Sequence, residues 1–413
     1  MTRAAPSSPS ARPAIGRALH ALRTGWSILG LALLLLLAGE LAGRLWLLGG
    51  PGPRPDRRSQ ADAYRGADWA PDYFAEFRRA KTRWSPYVYW RRAAFEGEFI
   101  RIDAAGLRRT PVPQARTPAA RPLRVALFGG SAVWGTGARD AHTIPAALAR
   151  ELAERGWAPQ VVNYGETGYV STQEALLFLL ELRAGRIPDL AVFYDGANDV
   201  FAALQSGAPG VPQNEYNRRE EFNLLSPERE SELDRLLVTR LLGRSVLLEL
   251  AHARLGDATA HADASAGTSP QQAPALARGV VDAYAFNLAW IREMAAAHGV
   301  ATLFYWQPVI FGKPALTAYE RQEREAAEPY RPFYEATQAE LRRRAALLAP
   351  LGFHDLSDAF AEQREGMFID WLHVGEAANA LLARRLAADV DRRLRAPSGG
   401  PPAASAPGAR RPR

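Results

Sequence analysis

The chain of 413 residues contains no cysteine, which excludes disulfides, thiolate metal sites and cysteine nucleophiles together. Its seven histidines never meet Asp or Glu at a spacing typical of metal ligands, so no metal and no cofactor are expected. Acid is missing from both ends. Residues 1–24 carry Arg3, Arg12, Arg17 and Arg23 without an Asp or Glu, and residues 397–413 carry Arg410, Arg411 and Arg413 likewise. Those arginines account for the whole formal charge of +7 and leave 25–396 neutral on this count. Despite a pI near 9.8, a basic nucleic-acid face has little support. Internal repeats at solenoid periods are also lacking.

One long apolar run is present, from Gly25 to Leu48, and about 20 such residues span a bilayer core. Glu40 and Arg44 interrupt it at i, i+4 spacing, where they can pair on one face. The four arginines before it predict a cytoplasmic N-terminus by the positive-inside rule. A cleaved secretory signal with its apolar run at 28–38 is the alternative. Against it, the leading basic stretch is long, no good small-x-small cleavage site follows, and apolar residues resume at Leu45-Trp46-Leu47-Leu48. Either way the rest of the chain is exported.

The expected organisation is a basic cytoplasmic tail (1–24), a transmembrane helix (25–48) and a stiff proline-rich linker (49–60). An aromatic-rich extension (61–121) follows, with an alternating run and turn at Phe99–Arg109, packed on the main domain. From 122 to 396, short apolar strands alternate with amphipathic helices, the pattern of an open, doubly wound parallel sheet. The expected strands are Arg124–Phe128, Gln160–Tyr164, Leu190–Tyr194, Ala301–Trp306 and Phe353–Leu356. Helices are expected at Thr143–Glu154, Ser171–Leu182, Ala275–Ala297, Pro332–Leu348 and Gly375–Leu394. The alternation breaks at 200–274, which has a Pro/Gly-rich start, a helical stretch at Arg229–Leu255 and a low-complexity segment at Gly256–Pro274. Leaving from the end of a strand, this insertion is expected to act as a lid or an acceptor-binding element rather than as an independent domain. Residues 397–413 read as a disordered tail.

In such sheets, sites lie beyond the carboxyl ends of the strands, and four segments stand there. In Gly129-Gly130-Ser131 two glycines allow a tight turn that projects the hydroxyl, although Gly-Gly-Ser is also a common loop. Asn163-Tyr-Gly165-Glu-Thr-Gly168 is a second strand entering a glycine turn. In Gly196-Ala-Asn198-Asp199 an amide side chain can donate to a developing oxyanion, while a helix cap would suit Asp199. Asp370-Trp-Leu-His373 can set a carboxylate against one imidazole nitrogen and leave the other free as a base.

Together, in this order, the four segments resemble the SGNH (GDSL-like) hydrolase family over roughly 122–395. The resemblance implies a flavodoxin-like α/β fold, Ser131 as nucleophile, His373 as base and Asp370 as the acid orienting it. It also implies oxyanion donors at the Ser131 N–H, Gly168 and Asn198. Gly168 is preferred to Gly165 because its offset from Asn163 matches the family pattern. One departure is visible: Gly130 stands where the family's Gly-Asp-Ser has Asp. The implied activity is hydrolysis of O-acyl esters on a small molecule, glycan or lipid through an acyl-enzyme. Acyl transfer to a glycan hydroxyl by the same triad is the alternative, and a non-catalytic membrane-anchored binding or assembly module is the alternative of another class. The implied location is a bacterial inner membrane, with the catalytic domain periplasmic or extracellular. His142 reads as a cap or surface residue, His354 has no catalytic neighbour, Trp306-Gln307-Pro308 could line the pocket, and Arg342–Arg344 reads as a solvated face.

Overall fold

The computed structural model describes residues 12–49, 55–113, 121–213 and 273–395, and singly 215, 218 and 245. Most of the expected lid, with its helical stretch at Arg229–Leu255, lies outside the described residues, as do the C-terminal tail and residues 50–54 of the proline-rich linker. Two compact units divide the chain: Met1–Arg54 with Arg218–Asp263, and Pro55–Asn217 with Ala264–Arg413.

The first unit contains helix α1 (Arg12–Gly49). Its stretch Leu22–Leu45 has 24 residues and a mean hydropathy of 1.9. At 1.5 Å per residue this exceeds the roughly 30 Å of a bilayer core, so the helix is long and apolar enough to cross one. Arg44 Nε donates to Glu40 Oε1 at 3.0 Å, the i, i+4 pairing anticipated from their spacing.

The second unit opens with α2 (Ala70–Arg79) and two short antiparallel pairs: β1 (Thr82–Ser85) with β2 (Tyr89–Arg92), and β3 (Phe95–Glu96) with β4 (Arg101–Ile102). After β4 the chain turns at Gly106, whose N–H reaches Asp103 O at 3.0 Å. Five parallel strands follow: β5 (Leu123–Gly129), β6 (Pro159–Asn163), β7 (Leu190–Asp195), β8 (Ala301–Trp306) and β9 (Phe353–Asp355). Their spatial order is β6-β5-β7-β8-β9, which is the flavodoxin-like order and opens a crevice between β5 and β7 where the winding reverses.

Both faces of the sheet are apolar because helices cover both. On one face Phe128, Phe193 and Phe304 stack, with centroids 4.9 and 5.3 Å apart. Side chains of α5 (Ser171–Arg183), α7 (Ala273–Ala297) and α9 (Arg331–Arg343) cover them, among them Phe178, Val281 and Leu341. On the other face Leu127, Val192 and Tyr305 pack under Leu148 of α4 (Ile144–Glu154) and Leu386 of α10 (Glu376–Arg395). Two short helices, α3 (Ser131–Trp134) and α6 (Ala197–Ser206), start at the crevice, and α8 (Ala318–Ala326) follows β8. The single helix expected at 332–348 is two pieces, α9 and the turn Ala345–Leu348, separated by Arg344 at φ −98°, ψ 7°.

The end of the expected linker is ordered, and the extension packs on the main domain as expected. Residues Arg57–Gln60 form a 3-10 turn capped by Asp56, which accepts from Arg58 N at 3.0 Å. Tyr64, Tyr73 and Phe74 share a core with Trp134 and Ile369, so the extension is built into the walls of the crevice.

Candidate active site

Ser131 ends the turn out of β5 as the first residue of α3. As the first helical residue its N–H has no intrahelical acceptor and remains available. The turn is braced from behind: buried Arg108 donates from Nη1 to Gly135 O at 2.7 Å and to Trp134 O at 3.1 Å, and from Nη2 to Ala138 O at 2.6 Å. Its Nε pairs with Asp140 at 2.9 Å. Asn163, at the end of β6, donates to Val133 O at 3.1 Å and ties the second strand to the same helix.

His373 and Asp370 enter from the loop before α10. The Ser131 Oγ lies 2.6 Å from His373 Nε2, and His373 Nδ1 lies 2.7 Å from Asp370 Oδ2. Asp370 Oδ1 accepts from the N–H of Leu372 at 3.0 Å and of His373 at 2.7 Å. Burial alone raises the pKa of Asp370, but the His373 imidazole and these N–H donors outweigh it and hold the group down to about 2. An ionised carboxylate at Nδ1 directs the imidazole lone pair at Nε2 towards Ser131. The loop is itself pinned: Glu320, fully buried, accepts from Met367 N at 2.8 Å and Phe368 N at 3.1 Å, and pairs with buried Lys313 at 2.6 Å.

Opposite stand the two candidate oxyanion donors, Gly168 and Asn198. Gly168 has φ +79°, a left-handed conformation that suits glycine, and faces the cavity above Ser131. Gly165 is packed instead against the backbone of α3, where a Cβ would come within 2.4 Å of Trp134 N. The Asn198 amide donates to Tyr169 O at 2.8 Å, which orients it across the loop carrying Gly168. The turn before it requires Gly196, at φ +105° and pressed on the Trp306 ring. The absent aspartate at Gly130 has a spatial reason: a Cβ there would lie 2.2 Å from Asn198 Nδ2. Asn198 fills the space that a side chain at 130 would take.

These residues line a cavity of about 260 Å³ walled by Phe77, Phe201, Trp371 and Leu372, with Thr136, Thr167, Arg58 and Gln213 as its polar rim. Two of these had no signal in sequence. Arg58 sat in a stretch read as linker, yet its guanidinium is held by Asp56 at 2.9 Å, lies over Phe74 and Phe77, and sets Nη1 3.9 Å from Asp370. Gln213, from the start of the insertion, donates to Asn198 Oδ1 at 3.4 Å. Other candidates fall elsewhere. Trp306 is fully buried under Gly196 and donates to Tyr334 OH at 3.2 Å. His142 lies 3.6 Å from Glu376, and His354 stacks on Tyr305. Arg343 and Arg344 pair with Glu340. Among the described residues no group of His, Asp or Glu could hold a metal ion.

No family model matches the chain, and none of the curated proteins does. Among solved structures it is similar to TesA, at 18% identity over 66% of this chain and 98% of that one, with a TM-score of 0.33. An acetyl xylan esterase, AlAXEase, matches at 12% identity over 65% and 100%, with a TM-score of 0.34. A protein named as lipolytic and of the G-D-S-L family, from Desulfitobacterium hafniense, matches at 9% identity over 64% and 98%, with a TM-score of 0.32. Overlaps this loose leave the chemistry of this chain to its own residues.

Proposed function

We propose that this chain is a member of the SGNH (GDSL-like) hydrolases, a serine ester hydrolase carried by α1 on the outer face of a bacterial inner membrane. The observation that carries the reading is the continuous hydrogen-bonded run from Ser131 Oγ through His373 to Asp370, with steps of 2.6 and 2.7 Å.

In this reading Ser131 Oγ attacks the acyl carbonyl as its proton passes to His373 Nε2, and the imidazolium is stabilised by the Asp370 carboxylate. Negative charge on the carbonyl oxygen is met by the N–H groups of Ser131 and Gly168 and by the Asn198 amide. His373 then returns the proton to the departing alkoxide, and water repeats the sequence on the acyl-enzyme. The small cavity with aromatic walls suits a short acyl group, with the alcohol part of the ester extending to solvent. The arginines before α1 support a cytoplasmic N-terminus and a catalytic unit outside.

The test is to incubate the full chain in detergent with a fluorophosphonate probe and with short-chain aryl esters. Labelling and turnover are expected, and both are expected to vanish in Ser131→Ala and in His373→Ala while thermal unfolding stays cooperative. Turnover by Ser131→Ala at the wild-type rate would sink the mechanism.

A further inference from the structure

Beneath the candidate oxyanion donors lie three carboxyl groups that this reaction does not use. Glu174 on α5, Asp195 at the end of β7 and Asp199 on α6 are exposed by 1%, 3% and 2%. The side chains facing them are neutral. Tyr284 of α7 donates to Asp195 Oδ1 at 2.6 Å, and Ser171 at the head of α5 donates to Asp199 through Oγ at 2.5 Å and through N at 3.2 Å. Asn287 of α7 holds the Ser171 hydroxyl at 2.9 Å, and the Trp306 ring of β8 backs the Gly196 turn. Among the described residues no basic side chain acts on any of the three.

The donors do not suffice for the acceptors. Asp195 Oδ2 and both oxygens of Glu174 are buried without a hydrogen-bond partner if all three groups are ionised. Glu174 and Asp195 nevertheless meet side chain to side chain, and two carboxylates can bond only through a proton. Two unpaired buried charges side by side would be costly, whereas one carboxylic acid proton supplies the missing donor. Burial pushes all three upward: Glu174 well above the carboxylate range, Asp195 to about 7 and Asp199 to about 6.

The cluster grips the two segments on which the oxyanion donors sit. Asp199 holds Ser171, three residues after Gly168, and Asn198 holds the intervening Tyr169 carbonyl. Asp195, fixed by Tyr284, begins the turn that delivers Asn198. We propose that Glu174, Asp195 and Asp199 form a proton-loaded clamp that sets the separation of Gly168 and Asn198. They are positioning residues, and the proposal rests on the reading of Ser131 as nucleophile. Loss of the shared proton adds a buried negative charge with no cation to meet it, and the segments 168–171 and 195–199 are driven apart. For a carboxyl whose folded pKa is raised, the favourable state is complete at low pH and is lost as pH rises through the folded value. The clamp therefore opens as pH rises through the raised folded value: stability falls between the ordinary carboxylate range and that value, and kcat falls beyond it.

The experiment measures kcat and KM for an aryl ester, the rate of Ser131 labelling by a fluorophosphonate, and Tm, all from pH 6 to 10 on the full chain in detergent. Wild type is expected to lose kcat about tenfold per pH unit beyond the clamp's pKa, with KM nearly constant, while Tm falls on the approach to that pKa and is level above it. Glu174→Gln offers an amide donor to Asp195 that cannot ionise, so it is expected to keep most of its neutral kcat and Tm at pH 9. Asp199→Asn, which retains an acceptor for Ser171 and removes one charge, is expected to shift the decline upward and serves if Glu174→Gln does not fold. Alkaline profiles of both variants that overlay the wild type would overturn the clamp. A wild type that neither labels nor turns over sinks the nucleophile reading instead. The Tm profiles then still decide the proton, since a flat wild-type Tm between pH 6 and 9 overturns it.

Discussion

Adding a single methyl group at Gly130 isolates the role of Asn198. The backbone there has φ −79° and ψ −154°, at the edge of the extended region and not in the left-handed one that would demand glycine. Its Cβ would stand 2.2 Å from Asn198 Nδ2, where ordinary contact begins at 3.4 Å. The amide must retreat by roughly 1 Å, and a displacement of that size at a reacting centre costs about 10²-fold. Retreat also breaks the 2.8 Å bond to Tyr169 O that orients the amide. Gly130→Ala is thus expected to lose about 10²–10³ in kcat, the worth of one oxyanion donor, or roughly 3–4 kcal/mol, with KM little changed. The assay is steady-state hydrolysis of a short aryl ester by Gly130→Ala, Asn198→Ala and the double variant. Because both act on one amide, Gly130→Ala should cost almost nothing once Asn198 is alanine. Two losses that simply add, or a Gly130→Ala enzyme with wild-type kcat, would show that position 130 does not act through the Asn198 amide.

Asp370→Asn should retain more activity than Ser131→Ala or His373→Ala, since in the proposed reaction Asp370 orients the imidazole and stabilises its cation rather than bonding to the substrate; equal residual rates in a single-turnover assay would count against that division. Lys313→Met leaves the Glu320 carboxylate buried without its cation, and a loss of about 3–5 kcal/mol is expected, read as a lowered Tm by circular dichroism; an unchanged Tm would show that the N–H donors at Thr317, Met367 and Phe368 suffice. Protease added to spheroplasts should degrade the catalytic unit of the full chain, and a reporter active only in the periplasm should work when fused after Arg413; a signal from a cytoplasmic reporter would reverse the topology.

Local patterning determined a large part of this molecule. Every strand of the five-stranded sheet was legible as an apolar run between turn residues, and α1 as an apolar run long enough to cross a membrane. Asp370 and His373 are also local, since three residues of turn bring carboxylate and imidazole together. What periodicity does not encode is which distant segments meet. Ser131 and His373 are 242 positions apart, and in the sequence only the resemblance of four separate motifs to a known pattern joined them. Where no motif existed, nothing marked the residue. Arg58 read as linker, because a proline-rich stretch says nothing of an arginine that Asp56 and two phenylalanine rings will hold beside Asp370. Gly130 read as a missing aspartate, and only the fold revealed that Asn198 already occupies its space. Glu174 read as one more polar residue of a helix; its burial against Asp195 and Asp199 depends on how α5 lies over the ends of β7 and α6. Composition and period set which elements form and which face they bury, because those depend on neighbours within a turn or two. Side chains meeting across the crevice depend on the packing of whole elements, and that the tertiary structure alone decided.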